Sequence, residues 1–144
     1  MAGICPEGSV HQILIVDDSP TIRRMVKTSL AALSSTREFV EAGSGLEAIE
    51  RVALGSIELM VLDLNMPDIH GLEVLRFVRR HAAFSSLPII VLTTRGDENT
   101  RESAMAAGAS LFRTKPFRPD ALASDARALL DQPALAPARS GAGA

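Results

Sequence analysis

Four apolar runs in this chain each end in a polar side chain that packing does not explain. The side chains that follow the runs are, in chain order, those of Asp17, Asp18, Asp63, Thr93 and Lys115. Gathered in one place, they would supply three carboxylates, a hydroxyl group and an ammonium group. Carboxylate oxygens suit a hard divalent cation, and an ammonium group suits phosphate. The residue types therefore indicate a site for a divalent cation and a phosphoryl group.

The four runs are predicted strands that must bring these side chains together. They cover residues 13–16, 59–62, 89–92 and 110–114, and residues 38–42 form a weaker predicted strand. Helix-like segments separate the strands, which is typical of an α/β fold with a five-stranded parallel sheet covered on both faces. Right-handed crossovers bring the carboxyl ends of all strands to one side of such a sheet. We therefore expect the polar side chains to meet at one edge.

Capping signals predict where the helices begin and end. Ser19 is a good N-cap before Pro20, so the first helix should begin there and end near Leu33. Gly108 is the expected C-cap of a fourth helix. The predicted helices are the first, one after residue 45, one after residue 71, and the segments 97–107 and 119–130.

Length and composition favour one domain with an ordinary soluble surface. The 144 residues are 47% hydrophobic and carry a formal net charge of -2, which does not favour nucleic acid or an anionic membrane as a partner. With a single cysteine, Cys5, and no membrane-length apolar run, the chain is expected to be cytoplasmic. Residues 11–131 are the predicted domain, preceded by a flexible N-terminus over 1–10 and followed by a disordered tail over 132–144.

The adjacent acidic residues Asp17 and Asp18 favour metal binding over helix capping. One aspartate near the first helix could serve the helix dipole, but two concentrate negative charge that a cation would neutralise. Mg²⁺ typically takes one or two carboxylates and leaves room for water and phosphate oxygens. Histidine and cysteine are absent from the predicted strand ends, which argues against zinc.

Asp63 is the candidate nucleophile, although a turn aspartate is the simpler alternative. A carboxylate can attack a phosphoryl donor and form an acyl phosphate if the charge on the transferring group is neutralised. Mg²⁺ and Lys115 would neutralise it, and Lys115 precedes a proline, so a cis bond that aims the lysine inward is allowed. A surface lysine is the alternative. Asn65 could offer its carbonyl to the metal or cap the loop, and Thr93 alone is unremarkable.

Four motifs together resemble the response-regulator receiver domain, specifically the stand-alone chemotaxis type, over about residues 12–130. They are Ile-Leu-Ile-Val-Asp-Asp-Ser, Val-Leu-Asp-Leu-Asn-Met-Pro-Asp-Ile-His-Gly-Leu-Glu, Val-Leu-Thr-Thr and Thr-Lys-Pro-Phe. The resemblance implies a doubly wound, flavodoxin-like sheet of strand order 2-1-3-4-5, which the handedness rules alone do not specify. It also implies two-component signalling without an output domain of its own.

The resemblance assigns a role to each candidate residue. It makes Asp63 the phosphorylated aspartate and Asp17 and Asp18 the acidic pair. Direct Mg²⁺ ligands would be Asp18, Asp63 and the Asn65 carbonyl. Thr93 and Lys115 would sense the phosphate, and Thr93 and Phe112 would be the switch residues.

The implied mechanism is a two-state switch rather than an enzyme, one that assists its own phosphorylation and dephosphorylation. A sensor histidine kinase or phosphotransfer protein would supply the phosphoryl group. The face formed by the fourth helix, fifth strand and fifth helix would then bind a downstream protein, with the regulator itself a monomer or weak dimer. The resemblance further suggests that Asn65, Thr94 and Arg95 tune hydrolysis of the acyl phosphate.

Three alternatives compete with this interpretation. A phosphatase of the haloacid-dehalogenase type would place its nucleophile on the first strand, usually followed by Asp-x-Asp, and would need a cap for which the chain has no room. An unphosphorylated pseudo-receiver would normally have an eroded acidic site, whereas this one is complete. The chain could also be one part of a larger regulator.

Overall fold

Parallel pairing builds one five-stranded sheet in the order β2-β1-β3-β4-β5 in a computed structural model that describes residues 11–33 and 37–131. The strands are β1 (His11–Val16), β2 (Arg37–Ala42), β3 (Ile57–Leu62), β4 (Ile89–Thr93) and β5 (Leu111–Thr114). This topology confirms the predicted α/β class and the strand order that the resemblance implied. The predicted flexible segments 1–10 and 132–144 lie outside the described residues.

Five α-helices connect the strands within the described ranges. They are α1 (Pro20–Ser29), α2 (Gly45–Leu54), α3 (Gly71–Arg80), α4 (Glu98–Ala107) and α5 (Pro119–Leu130). Gly108 closes α4 in the left-handed conformation, as predicted for a C-cap. None of the helices in these ranges has both the length and the apolar character needed to cross a lipid bilayer.

The end predicted for the first helix is wrong by about one turn. The helix α1 ends at Ser29, and its C-cap is Leu30. The Leu30 N–H makes the last α-helical bond, to the Val26 carbonyl, and a tighter 3₁₀-type bond to the Lys27 carbonyl. A 3₁₀ turn over Ala31–Leu33 follows, in which the Leu33 N–H donates to the Leu30 carbonyl at 2.9 Å. The apolar spacing continues through this tighter turn, which is why the sequence pattern overestimates the length of the helix.

Two apolar layers, one on each face of the sheet, hold the strand ends in place. Leu14 and Met60 point toward α2, α3 and α4, whereas Ile13 and Leu59 point toward α1 and α5. All four side chains are fully buried. Burying an aliphatic side chain of this size contributes about 1.5–3 kcal/mol. The central strands are therefore packed on both faces, and this packing fixes the main chain that leads to the residues at their carboxyl ends.

Candidate functional site

The sheet ladder continues one residue past three strands and fixes the main chain of the candidate residues. The Asp17 N–H donates to the Ala42 carbonyl at 3.1 Å, and the Asp63 N–H donates to the Val16 carbonyl at 2.9 Å. The Lys115 N–H donates to the Thr93 carbonyl at 2.9 Å. Main-chain bonds between neighbouring strands thus bring residues from distant parts of the sequence to one edge of the sheet.

The three aspartates form one acidic cluster, as predicted. Asp17, Asp18 and Asp63 each place a carboxylate oxygen within 4.8 Å of those of the other two. Asp17 and Asp63 are buried, with 3% and 5% of their surfaces exposed, whereas Asp18 faces solvent. Together with Thr93 and Lys115, we call these residues the rim site. Hard oxygen donors of this kind fit a divalent cation.

Lys115 brings its ammonium group into the rim site, so the alternative of a surface lysine is wrong. The Lys115–Pro116 peptide bond is cis. The lysine side chain is 11% exposed, and its Nζ lies 2.6 Å from Asp17 Oδ2 and 3.6 Å from Asp63 Oδ1. The ammonium group is therefore bonded to Asp17 and lies within reach of a group attached to Asp63.

Asp17 is held by protein donors at both of its carboxylate oxygens. Oδ2 accepts the Lys115 bond, and Oδ1 accepts a hydrogen bond from the Ser19 N–H at 2.9 Å. Ser19 is the N-cap of α1, and its own hydroxyl accepts from the Ile22 N–H. Asp17 thus supports the start of the helix, which was the simpler of the two roles considered for an aspartate at this position. Its carboxylate organises the start of α1 and also neighbours the other acidic groups.

Asp63 has a buried oxygen that is not satisfied within the part of the chain that the structure describes. Its Oδ1 accepts no hydrogen bond there. Burial raises the pKa of the Asp63 carboxyl above its ordinary 3.8, Lys115 opposes that shift, and the Asp17 carboxylate adds to it. A buried anionic oxygen without a donor is costly unless a cation approaches it. The three clustered carboxylates therefore fit Mg²⁺.

The raised pKa of Asp63 predicts a pH-dependent effect on stability. Because the pKa is raised in the folded chain, protonation of the Asp63 carboxyl stabilises the fold. This stabilisation is complete at pH values below the pKa that Asp63 has in the unfolded chain, and it is lost as pH rises through the pKa that Asp63 has in the folded chain. Asp63→Asn should therefore raise the melting temperature at pH 7 in the presence of EDTA. The gain over the native chain should shrink toward pH 4. An equal gain at both pH values, measured by circular dichroism, would contradict this assignment.

Thr93 and Asn65 meet at the same edge. Thr93 is fully buried, and its Oγ1 accepts hydrogen bonds from Asn65 Nδ2 at 3.5 Å and from the Arg95 N–H at 3.4 Å. Asn65 itself is exposed. The amide side chain of Asn65 is thus directed toward Thr93.

Phe112 lies in the core on β5, the strand that pairs with β4. Its ring is only 5% exposed, and Phe112 pairs with Val91 in the ladder. The guanidinium of Arg101, on α4, lies 5.9 Å from the ring centroid. Phenylalanine lacks the phenolic hydroxyl of a tyrosine, so the ring contributes shape but no hydrogen bond.

Two residues that make long-range structural contacts were not singled out from the sequence. Asp68, in the loop before α3, accepts hydrogen bonds from the N–H groups of Gly45 and Leu46 and so caps α2, which lowers the pKa of Asp68. Arg23, on α1, donates to the main chain of Asp17. Asp68 lies in a recognisable turn, but its partners are 22 and 23 residues away, so no local pattern points to them.

Comparison with known proteins shows a family whose model covers most of this chain. A family model for the response regulator receiver domain matches residues 13–127, which include every residue of the rim site. The chemotaxis protein CheY1 of Helicobacter pylori is 37% identical over 112 residues, which cover 77% of this chain and 90% of that protein. A CheY homolog from Campylobacter jejuni is 35% identical over 112 residues, covering 77% and 85% of the two chains.

A solved structure shows the same fold. The chemotaxis response regulator CheY4 of Vibrio cholerae superposes with a TM-score of 0.75 at 30% sequence identity. The match covers 84% of this chain and 99% of that one. The shared architecture thus extends over nearly the whole of that regulator.

Proposed function

Since this chain belongs to the response regulator receiver domain family, we propose that it accepts a phosphoryl group on Asp63 in a Mg²⁺-dependent reaction in the cytoplasm. Membership makes it a receiver domain of two-component signalling. The observation that carries the finer proposal is the buried Asp63 Oδ1, which has no hydrogen-bond donor in the described chain yet lies 3.6 Å from the Lys115 ammonium group. No hydrogen bond engages this oxygen in the described chain, and the Lys115 ammonium lies close enough to contact a group attached to it.

The proposed reaction transfers a phosphoryl group to a carboxylate. An Asp63 oxygen attacks phosphorus while the bond from phosphorus to the donor nitrogen of a phosphohistidine breaks, and the electron pair of that bond stays on the nitrogen. The product is an acyl phosphate. Mg²⁺, when bound to Asp18, Asp63 and the Asn65 carbonyl, supplies neutralisation of the phosphoryl oxygens. Asp17 supports the site through its bonds to Lys115 and the start of α1.

Lys115 and Thr93 are the groups that would respond to the new charge. The Lys115 ammonium is bonded to Asp17 and needs only a small movement to contact a phosphoryl oxygen on Asp63. The buried Thr93 hydroxyl would reorient to donate to another phosphoryl oxygen. The ring of Phe112, which pairs with Val91 two residues before Thr93, would follow, and the face of α4, β5 and α5 would change shape.

The proposed partners follow from this switch. A sensor histidine kinase or phosphotransfer protein donates the phosphoryl group, and a downstream protein binds the face of α4, β5 and α5. The test is a pull-down with and without beryllofluoride, an acyl-phosphate mimic, in the presence of Mg²⁺. A protein captured only with beryllofluoride would identify the downstream partner. Identical capture under both conditions, together with absent Mg²⁺ binding, would instead favour an unphosphorylated interaction module.

We also propose that Arg95 tunes the lifetime of the acyl phosphate. Its side chain is 66% exposed and pairs loosely with Asp97 at 3.4 Å, two residues beyond Thr93. Arg95→Ala removes a charge that would shield the phosphoryl group from water, so its half-life should shorten about twofold to fivefold, the effect of up to about 1 kcal/mol. Decay of labelled protein measures this lifetime. An unchanged decay rate would exclude the role.

A further inference from the structure

Arg23 joins three separate parts of the fold at the edge of the rim site. It lies on α1 with a side chain that is 17% exposed. One guanidinium nitrogen donates to the main-chain carbonyl of Asp17 at 2.5 Å, and its Nε donates to Glu41 Oε1 on β2 at 2.7 Å. The guanidinium also fills the space beside Gly43, where an added Cβ would lie 3.3 Å from it.

The bond from Arg23 completes the restraint of Asp17. The Asp17 N–H is held by the sheet, its carboxylate by Ser19 and Lys115, and its carbonyl by Arg23. The carbonyl belongs to the peptide unit that connects Asp17 to Asp18. Because that unit is planar, fixing its oxygen also sets the direction in which the chain enters Asp18.

Within residues 11–33 and 37–131, the side chain of the exposed Asp18 makes no hydrogen bond or ion pair. It faces solvent at the edge of the acidic cluster. The preceding peptide unit therefore sets where the Asp18 Cα lies, and so the point from which the carboxylate reaches the acidic cluster. A metal with strict octahedral requirements, such as Mg²⁺, is sensitive to the direction from which a ligand reaches it.

Charge alone does not account for the placement of Arg23. Its guanidinium is paired with Glu41, and Lys27 Nζ contacts the other oxygen of the same carboxylate at 2.8 Å. These two cations lower the pKa of Glu41, with the Lys27 bond the larger cause. Glu41 therefore orients Arg23 and offsets its charge, so the guanidinium acts on the acidic cluster chiefly through its bond to the Asp17 carbonyl.

We propose that Arg23 is a positioning residue for the cation site, which aims the Asp18 carboxylate by fixing the peptide unit between Asp17 and Asp18. This inference rests on the proposed Mg²⁺ site. Groups that orient metal ligands without touching the metal typically change affinity by 10-fold to 100-fold when removed. Arg23 is expected to act in this way from outside the coordination sphere.

The test is Mg²⁺ titration of the full chain by isothermal titration calorimetry, which suits a protein without tryptophan or tyrosine. Arg23→Ala should weaken Mg²⁺ binding by about 10-fold or more. The matched control is Arg24→Ala, which removes the same charge from an exposed position one residue away and should change affinity by less than about twofold. Equal losses in the two variants would overturn the proposal, because charge would then suffice.

Two further variants separate positioning from folding and from charge. Arg23→Lys keeps the cation but lacks the rigid fork that reaches both acceptors, so its affinity should fall by about threefold or more while Arg24→Lys stays unchanged. Native affinity in Arg23→Lys would overturn the proposal even if Arg23→Ala fails to fold. Lys27→Ala leaves the Asp17 bond intact and should retain native affinity. Absent Mg²⁺ binding in the unaltered chain would instead defeat the proposed function.

Discussion

Asp63→Ala should abolish phosphoryl incorporation from acetyl phosphate in the presence of Mg²⁺. The substitution removes the proposed nucleophile, so the rate should fall by more than about a thousandfold, to background. Asp17, the other buried carboxylate of the cluster, should not replace it, because its oxygens already accept bonds from Ser19 and Lys115. Incorporation is measured as labelled protein after a timed reaction, with and without EDTA.

A carboxylate outside the rim site is the control for this measurement. Asp120 is 76% exposed at the side chain and pairs only loosely with Arg118, at 3.4 Å. Asp120→Ala should keep the native rate. Labelling retained in Asp63→Ala would show that another residue accepts the phosphoryl group. Absent labelling in the native chain would count against phosphorylation altogether.

Gly71→Ala should destabilise the protein by about 3 kcal/mol, because an added methyl group would be forced into packed main chain. A Cβ at Gly71 would lie 2.6 Å from the Asp63 carbonyl oxygen and 2.6 Å from the Cα of Leu64. These are backbone atoms that cannot swing aside. The same segment is tied by a 2.9 Å bond from the Gly71 N–H to the Leu64 carbonyl. Relief of the clash would therefore displace the main chain of the proposed phosphoacceptor.

Gly55→Ala gives the matched comparison for this effect. Gly55 has a φ of 87°, but an added Cβ there has no atom within 4 Å. Its cost should come from the left-handed backbone alone, about 1–2 kcal/mol. Urea unfolding measures both free energies of unfolding. A midpoint for Gly71→Ala equal to that of the native chain would refute the close packing of α3 against the end of β3.

Apolar runs and helix caps predicted most of the fold because those signals are local. The run at residues 59–62 became the end of β3, and the pair Ser19-Pro20 became the cap and first residue of α1. Residues 31–33 were assigned to α1 because apolar spacing does not distinguish an α-helix from a following 3₁₀ turn. The strand order came from the family resemblance, since alternation of strands and helices is compatible with several orders.

The rim site was predictable to the extent that its members end strands. Asp17, Asp63 and Thr93 each follow a recognisable run, and parallel topology brings strand ends together. Arg23 carries no such signal, because an arginine on an amphipathic helix usually remains solvated. Its bond to Asp17 depends on how α1 docks beside β1, and its bond to Glu41 depends on β2 pairing with β1. These are tertiary contacts that a sequence pattern does not encode.

The bond between Lys115 and Asp17 joins residues 98 positions apart. Asp17 follows β1, the first strand along the chain, and Lys115 follows β5, the last. During synthesis from the amino terminus, the acidic residues emerge long before their ammonium partner. A nascent chain that ends before β5 can contain all three carboxylates but has no Lys115 to accompany them. The rim site should thus be complete only after the last strand has left the ribosome.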